Sequence, residues 1–352
     1  MPDVRGLSVA VWNKRRLLGL GKSSMTYLVT GGAGFIGSNV AAALSEQGHD
    51  VVVCDWMGED ERWRNLAKHE ILDIVHPESV MNWLRQHGER VRAVVHMGAI
   101  STTTETNVDL IVARNIRSTL DLLEWCTAAQ TPFLYASSAA TYGDGTQGFD
   151  DAFSRPALAR LRPLNAYGWS KHFVDRRIAR LVESGARLPP QWVGLKFFNV
   201  YGPNEYHKGS MRSVIARNFA EVRAGAPLRL FKSYLPTYGD GGQMRDFIYV
   251  SDCVDVISWF LVNTQVSGLY NLGSGQARTW VDLAAALCGA LDLPPKVEFI
   301  DMPVELRSRY QYFTQANMHR LREIGYRRPF TSLENGARDY VQRYLIAEDP
   351  YR

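Results

Sequence analysis

Short apolar runs alternate with stretches of helical period through the first two thirds of the chain. Tyr27-Leu28-Val29-Thr30 is an apolar run closed by glycines, and the residues after it are amphipathic to about Gln47. Val51 to Asp55 is a second run, Val91 to His96 a third, Phe133 to Ser137 a fourth and Trp192 to Phe198 a fifth. Near-continuous apolar runs of this length suit strands buried on both faces. Helical period appears between them, over Val108 to Ala129 and from Asn165 onward, with Pro163 and Asn165 as start signals. Strand and helix in alternation predict a parallel sheet covered by helices. Past Asn204 the alternation weakens. Arg245 to Val250 and Gly268 to Leu272 read as strands, and Thr279 to Leu291 and Ser332 to Leu345 as helices. The expected layout is residues 1–24 as an N-terminal extension, 25–203 as the main α/β domain, and 204–352 mainly as a smaller α/β substrate-binding domain, with some later segments returning to the first.

The link between the first two strands carries chemistry. Gly31-Gly32-Ala33-Gly34-Phe35-Ile36-Gly37 opens the first helix, and Asp55 ends the second strand 18 residues after Gly37. Strand, glycine turn, helix, strand and acid make the dinucleotide-binding unit of a doubly wound, Rossmann-type sheet. Gly31 permits the turn, Gly34 lets backbone approach a pyrophosphate, and Gly37 lets helix and strand pack closely. The helix N-terminus faces the phosphates, and Asp55 suits a ribose hydroxyl. Asp55 favours NAD, because a carboxylate repels a 2′-phosphate; Arg62 and Arg64 suit that phosphate, or simply a solvated loop. Small residues after the third strand, Met97-Gly98-Ala99-Ile100-Ser101, fall where a cofactor lies in such a sheet, and Asp73-Ile74 where an adenine edge would.

The chain has 352 residues, 46% of them hydrophobic, enough for a large core. Lys plus Arg exceed Asp plus Glu by 40 − 36 = 4, and the basic residues are scattered, so nucleic acid is not implied. No segment reads as a membrane span. Cys54, Cys126, Cys253 and Cys288 are far apart and no histidines sit at ligand spacing, which argues against zinc, other metals and a disulfide framework. A reducing cytoplasm fits. Met1 to Ser24 places its apolar residues before Asn13-Lys14-Arg15-Arg16, the reverse of a secretory signal, and Met25 directly precedes the first strand.

Tyr167 and Lys171 are four residues apart, which puts them on one helix face. An ammonium beside a phenol lowers its pKa, so that the tyrosine can take a proton from an alcohol near neutral pH. Taken alone, the spacing equally suits an ordinary helix pair. Ser138, at the end of the fourth strand, suits either a reacting hydroxyl or the cap of a turn.

These features together resemble the extended short-chain dehydrogenase/reductases that act on nucleotide sugars. Tyr135 to Gly143, Phe198 to Pro203, His207-Lys208-Gly209-Ser210-Met211 and Tyr310 to Ala316 are similar to the members that epimerise C6 of an ADP-activated heptose. That resemblance implies epimerisation at C6 through a 6-keto intermediate, with bound NADP (NAD being the alternative), for the heptose of the lipopolysaccharide inner core. It implies Tyr167, Lys171 and Ser138 as catalytic, and Lys208 as a second acid/base group; on residues alone Lys208 also suits phosphate binding or the surface. It assigns cofactor contacts to Phe35, Ile36, Trp56, Arg62, Met97, Gly98, Ala99, Ser101, Asn115 and Val200, beside the glycines and Asp55, Asp73 and Ile74. Substrate contacts fall to Ser138, Asn199, Lys208, Ser210, Arg217, Arg245 and Tyr310. A homo-oligomer, such as a pentamer, is also implied. The chain departs from the family pattern at Trp56, at Met97 and in a longer loop over Leu235 to Gln243. Ala139-Ala140-Thr141 after Ser138 argues against a 4,6-dehydratase, which places an acid pair there.

Overall fold

The computed structural model describes residues 25–307 and 310–352, so the expected extension over residues 1–24 lies outside the described residues. β1 (Thr26–Thr30), α1 (Phe35–Glu46) and β2 (Asp50–Cys54) form the first βαβ unit. They are followed by β3 (Asp73–Val75), α2 (Val80–His87) and β4 (Val91–His96). Next come α3 (Val108–Ile111), a π-helical segment (Val112–Arg117), α4 (Ser118–Ala129) and β5 (Phe133–Ser138). α5 (Arg155–Ala159), α6 (Ala166–Glu183), β6 (Trp192–Phe197) and β7 (Asn199–Tyr201) lead to α7 (Val214–Arg223) and β8 (Leu228–Phe231). The remainder is β9 (Met244–Tyr249), α8 (Val250–Val262), β10 (Gly268–Leu272), β11 (Ala277–Thr279), α9 (Trp280–Ala290) and β12 (Val297–Ile300). α10 (Val304–Arg307), α11 (His319–Glu323) and α12 (Leu333–Tyr340) follow.

Seven parallel strands form the main sheet in the order β10-β6-β5-β4-β1-β2-β3. The order reverses between β1 and β4, and a ligand crevice opens at the carboxyl ends of strands at such a point. Adjacent residues on one strand serve opposite faces. Val29, Val53 and Val95 pack under α1 and α8 with Ile257 and Phe260, while Leu28, Val52 and Val94 pack under α4 and α6 with Leu122 and Ile178. This double burial explains why the strands read as unbroken apolar runs.

Two details were not legible in the pattern. The short strand β3 completes the sheet edge beside β2, where only a segment end was expected. The helix predicted over Val108 to Ala129 is interrupted by the π turn at Val112–Arg117. Gly268 to Leu272, expected as a strand, pairs with β6 on the far edge of the main sheet. The smaller lobe is built on β11-β9-β7 and on the parallel pair β12-β8, packed by α7, α9 and α12 around Phe219, Leu230, Phe247, Leu287 and Tyr340.

Candidate functional site

At the carboxyl end of the sheet, between the two lobes, lies a cleft of about 680 Å³. Its floor is the turn between β1 and α1. Gly31 adopts φ +63°, and a Cβ there would stand 2.6 Å from the backbone of Gly98. A Cβ on Gly37 would meet the Gly31 carbonyl oxygen at 2.1 Å. These approaches exclude any side chain from the cradle. Gly34 is the helix N-cap and supplies no capping side chain, so the first N–H groups of α1 remain for an anion. Beside the turn, Asp55 accepts a hydrogen bond from the Ala33 N–H at 3.0 Å; burial pushes its carboxyl up and that bond opposes the shift. A pyrophosphate-bearing dinucleotide fits these donors: bare backbone cradle, helix N-terminus and a ribose-side carboxylate in one line.

The cofactor-side residues expected from sequence mostly line this cleft. Phe35, Ile36, Trp56 and Arg62 are in its wall, as are Met97, Gly98, Ala99, Ser101 and Val200. Three are elsewhere. The Asp73 carboxylate is occupied by the Ile74 N–H and the Trp83 indole, and Ile74 points to solvent, so the wall there is made by Pro77, Val80 and Met81. Asn115 is fully buried in the π segment. Its amide accepts from Ile100 N at 2.8 Å and donates to Ile100 O and to Ser170 Oγ, each at 3.0 Å. It therefore ties the loop after β4 to α6, one layer behind the cleft. π turns recur at functional sites, where they re-aim side chains in this way.

Arg114 and His207 are among the cleft residues not anticipated. The Arg114 guanidinium stacks over the Trp56 ring at 4.2 Å from its centroid, and His207 faces the cleft beside Lys208. Arg114 reads in sequence as an ordinary helical arginine; its place depends on the π segment packing against α6, for which no local signal exists. Arg62 is gripped by Asp60 at 2.7 Å and donates to the Trp56 carbonyl.

The catalytic candidates converge on the same cleft. Asn165 caps α6 by accepting from Gly168 N at 2.8 Å, which sets the helix start and so the heights of Tyr167 and Lys171. Ser138 ends β5 and caps the short turn Ala139–Tyr142. The Ser138 hydroxyl and the Tyr167 phenol line the same wall of the cleft. Burial raises the Tyr167 phenol, and the Ser138 hydroxyl opposes this. Burial also draws Lys171 down to about 8. The depression of the tyrosine by its lysine that the spacing suggested is not seen in the free protein, where desolvation penalises both charged forms and only Ser138 lowers the phenol. Lys208 sits in the turn Tyr206–Met211, half-buried, with its ammonium 5.2 Å from the centroid of the Phe35 ring. Desolvation lowers its pKa, and Glu205 opposes that.

The sequence model of the NAD dependent epimerase/dehydratase family matches residues 27–273. The chain belongs to that family. An ADP-L-glycero-D-manno-heptose-6-epimerase of Nitratidesulfovibrio vulgaris is 49% identical over 329 residues, 92% of this chain and 99% of the relative. One from Fusobacterium nucleatum is 44% identical over 333 residues, again 92% and 99%. Among solved structures, the ADP-L-glycero-D-manno-heptose-6-epimerase of Helicobacter pylori superposes with a TM-score of 0.72 at 29% identity, covering 91% of this chain and 96% of that one. The UDP-glucose 4-epimerase of Thermus thermophilus, solved with NAD, gives 0.71 at 28% identity over 92% and 100%.

In this epimerase/dehydratase the remaining substrate candidates divide. Arg245 is 8% exposed, lies 5.2 Å from the centroid of Tyr310 and 5.7 Å from that of Trp280, and the Trp280 indole donates to the Tyr310 hydroxyl. A guanidinium caged by aromatic rings suits a phosphate with a base nearby. The neighbouring acid Asp246 does not pair with Arg245, being occupied by Ser274, Gly275 and Ala316. Arg217 and Ser210 are exposed and bonded to each other, Arg217 Nη1 to the Ser210 carbonyl. Asn199 is exposed at the start of β7, and none of these three lines the cleft; nor do Arg245 and Tyr310. The loop Leu235 to Gln243 folds over β8, with Gly241 at φ +68° against Phe299. Among the described residues no group of His, Cys, Asp or Glu could hold a metal ion, and no helix is long and apolar enough to cross a membrane.

Proposed function

We propose that the chain epimerises C6 of ADP-D-glycero-D-manno-heptose to the L-glycero form, in the cytoplasm and as a homo-oligomer, supplying heptose for the lipopolysaccharide inner core. The observation that carries this reading is that Tyr167, Ser138, Lys171 and Lys208 line one cleft that also contains the dinucleotide cradle. A dinucleotide held by the Gly31–Gly37 turn would supply the hydride acceptor and donor for C6. The protein handles the protons. Tyr167, as phenolate, takes the C6 hydroxyl proton while Ser138 holds the same oxygen. Lys171 stabilises that phenolate and holds the cofactor ribose. Once the ketone has turned, its oxygen no longer meets Tyr167, and Lys208 donates the proton that completes the new alcohol. Turnover resets by proton exchange from Tyr167 to Lys208 through solvent, so neither cofactor nor acid is consumed. Arg245, with Tyr310, is the seat for the ADP diphosphate, and Asn199, Ser210 and Arg217 complete the substrate side.

For the cofactor, Arg114, with Arg62 held by Asp60 beside it, supports NADP, because a guanidinium in the ribose-side wall suits a 2′-phosphate. NAD is the second reading, supported by the Asp55 carboxylate and the NAD-bound Thermus relative. Incubating the purified protein with ADP-D-glycero-D-manno-heptose and no added cofactor is expected to give the L-glycero epimer. Turnover of a UDP- or GDP-sugar instead would overturn the assignment. Chromatography of the dinucleotide released on denaturation is expected to show NADP; NAD alone would refute that part.

A further inference from the structure

Beneath the catalytic groups lies a charge pair that the mechanism above does not use. Asp175 on α6 and Lys196 on β6 are fully buried, and Lys196 Nζ is 3.2 Å from Asp175 Oδ2. Asp175 is one helical turn beyond Lys171 and two beyond Tyr167, on the same face. Its oxygens also accept from Ser137 Oγ at 2.7 Å and Tyr135 OH at 3.0 Å. Lys196 Nζ donates to Thr141 Oγ1 at 2.6 Å, and Thr141 Oγ1 donates to the Ser138 carbonyl at 2.8 Å. The anion therefore grips the residue before Ser138, and the cation, through Thr141, grips Ser138 itself.

We infer that the Asp175–Lys196 pair is a positioning device, which holds the Ser138 turn against Tyr167 and keeps one carboxylate shared between Lys196 and Lys171. This rests on the hydride-transfer roles assigned above to Ser138, Tyr167 and Lys171, but not on the identity of the sugar. A pair buried to this degree is a poor source of stability, since a well-packed apolar pair often does as well or better; a role in placement accounts for it.

The charges around Lys171 are few. Tyr167 and Asp175 face it from α6, and His96 faces it from β4. His96 is hydrogen-bonded at both nitrogens, to Thr30 and Thr119, and burial holds it down to about 3, so it is neutral. Around the pair itself stand Tyr135, Tyr142 and Asp151, with His172, which burial holds down to about 4. Asp175 is therefore the nearby anion that opposes loss of the Lys171 proton, and Lys196 competes for it.

The signs follow. Asp175→Asn removes that anion, so Lys171 loses its proton at lower pH. Lys196→Met leaves Asp175 to Lys171 alone, so the proton is held to higher pH. The experiment measures the alkaline limb of kcat for the wild-type substrate, and in parallel the pH dependence of NADP affinity, which needs no sugar. Asp175→Asn is expected to move both limbs down by about one pH unit and Lys196→Met to move them up. Thr141→Val, which removes the hydroxyl bridging Lys196 and Ser138 but leaves the Asp175–Lys196 contact, is expected to lower kcat about tenfold with KM unchanged. Limbs that stay in place, shift in one direction in both variants, or a Thr141→Val protein with wild-type kcat would overturn the inference. If a single charge variant does not fold, the double variant Asp175→Asn/Lys196→Met leaves no unpaired buried charge in the pair. It is expected to show the downward shift, and a wild-type profile there refutes the proposal. Failure of ADP-heptose as substrate leaves the affinity titration intact, so the two readings fail separately.

Discussion

Tyr167 and Lys208 approach the cleft from different lobes, and burial acts on both. It lowers the Lys208 ammonium toward a group that exchanges a proton around neutrality, and raises the Tyr167 phenol away from it, so Tyr167 depends on the Ser138 hydroxyl and a bound cofactor to ionise. Lys208 is a weaker acid/base candidate in sequence because a lysine in a polar loop has no distinctive spacing. Tyr167→Phe and Lys208→Met are each expected to lower kcat by about 10²–10⁴-fold with KM little changed, the range for removal of a general acid or base. Steady-state kinetics checks this, and near-normal kcat in Lys208→Met rules out the two-group scheme. Tyr167, Lys171 and Ser138 were legible because helix period and strand ends are local. The opposing pull of desolvation on Tyr167 was not, since it depends on which segments cover the helix.

At the scale of the element, the β1–α1 turn is the part most fully written in the sequence. Gly31 and Gly37 are required by contacts within a few residues and by the backbone of Gly98, and no other residue leaves room for a phosphate. Gly37→Ala would drive a Cβ into the Gly31 carbonyl and open the turn. The variant is expected to purify without its dinucleotide and to bind added NADP at least about tenfold more weakly, or ~1.4 kcal/mol. Absorbance of the purified protein and a fluorescence titration read both effects; retained cofactor at wild-type level contradicts the cradle. By contrast, the helix expected over Val108 to Ala129 showed nothing of its π turn. The turn is explained by Asn115 reaching Ile100 and Ser170, partners on two other segments.

Across the whole molecule the C-terminal residues fasten the turn carrying Lys208 to the main domain. Tyr206 OH donates to the Pro350 carbonyl, the Tyr206 and Tyr351 rings meet edge-on at 5.1 Å, and Arg64 lies over Tyr351 at 4.7 Å. Arg352 pairs with Glu46 on α1 at 3.1 Å. The turn carrying Lys208 is thereby braced from outside. Tyr351→Ala, truncating a buried aromatic ring, is expected to cost about 3 kcal/mol of stability. It should also lower kcat more than cofactor affinity; an unchanged melting temperature and kcat would remove the brace from the account. The sequence by itself determined the parallel α/β sheet, the glycine cradle, Asp55 and the Tyr167/Lys171 face, because each follows from periodicity or backbone sterics over a few neighbouring residues. Only the tertiary structure decided that Asp73 and Ile74 stand outside the cleft, that Arg114 covers Trp56, and that Lys196 reaches Asp175 beneath Ser138. Those placements join residues far apart in the chain, and only the packing of helices on the sheet sets the distances between them.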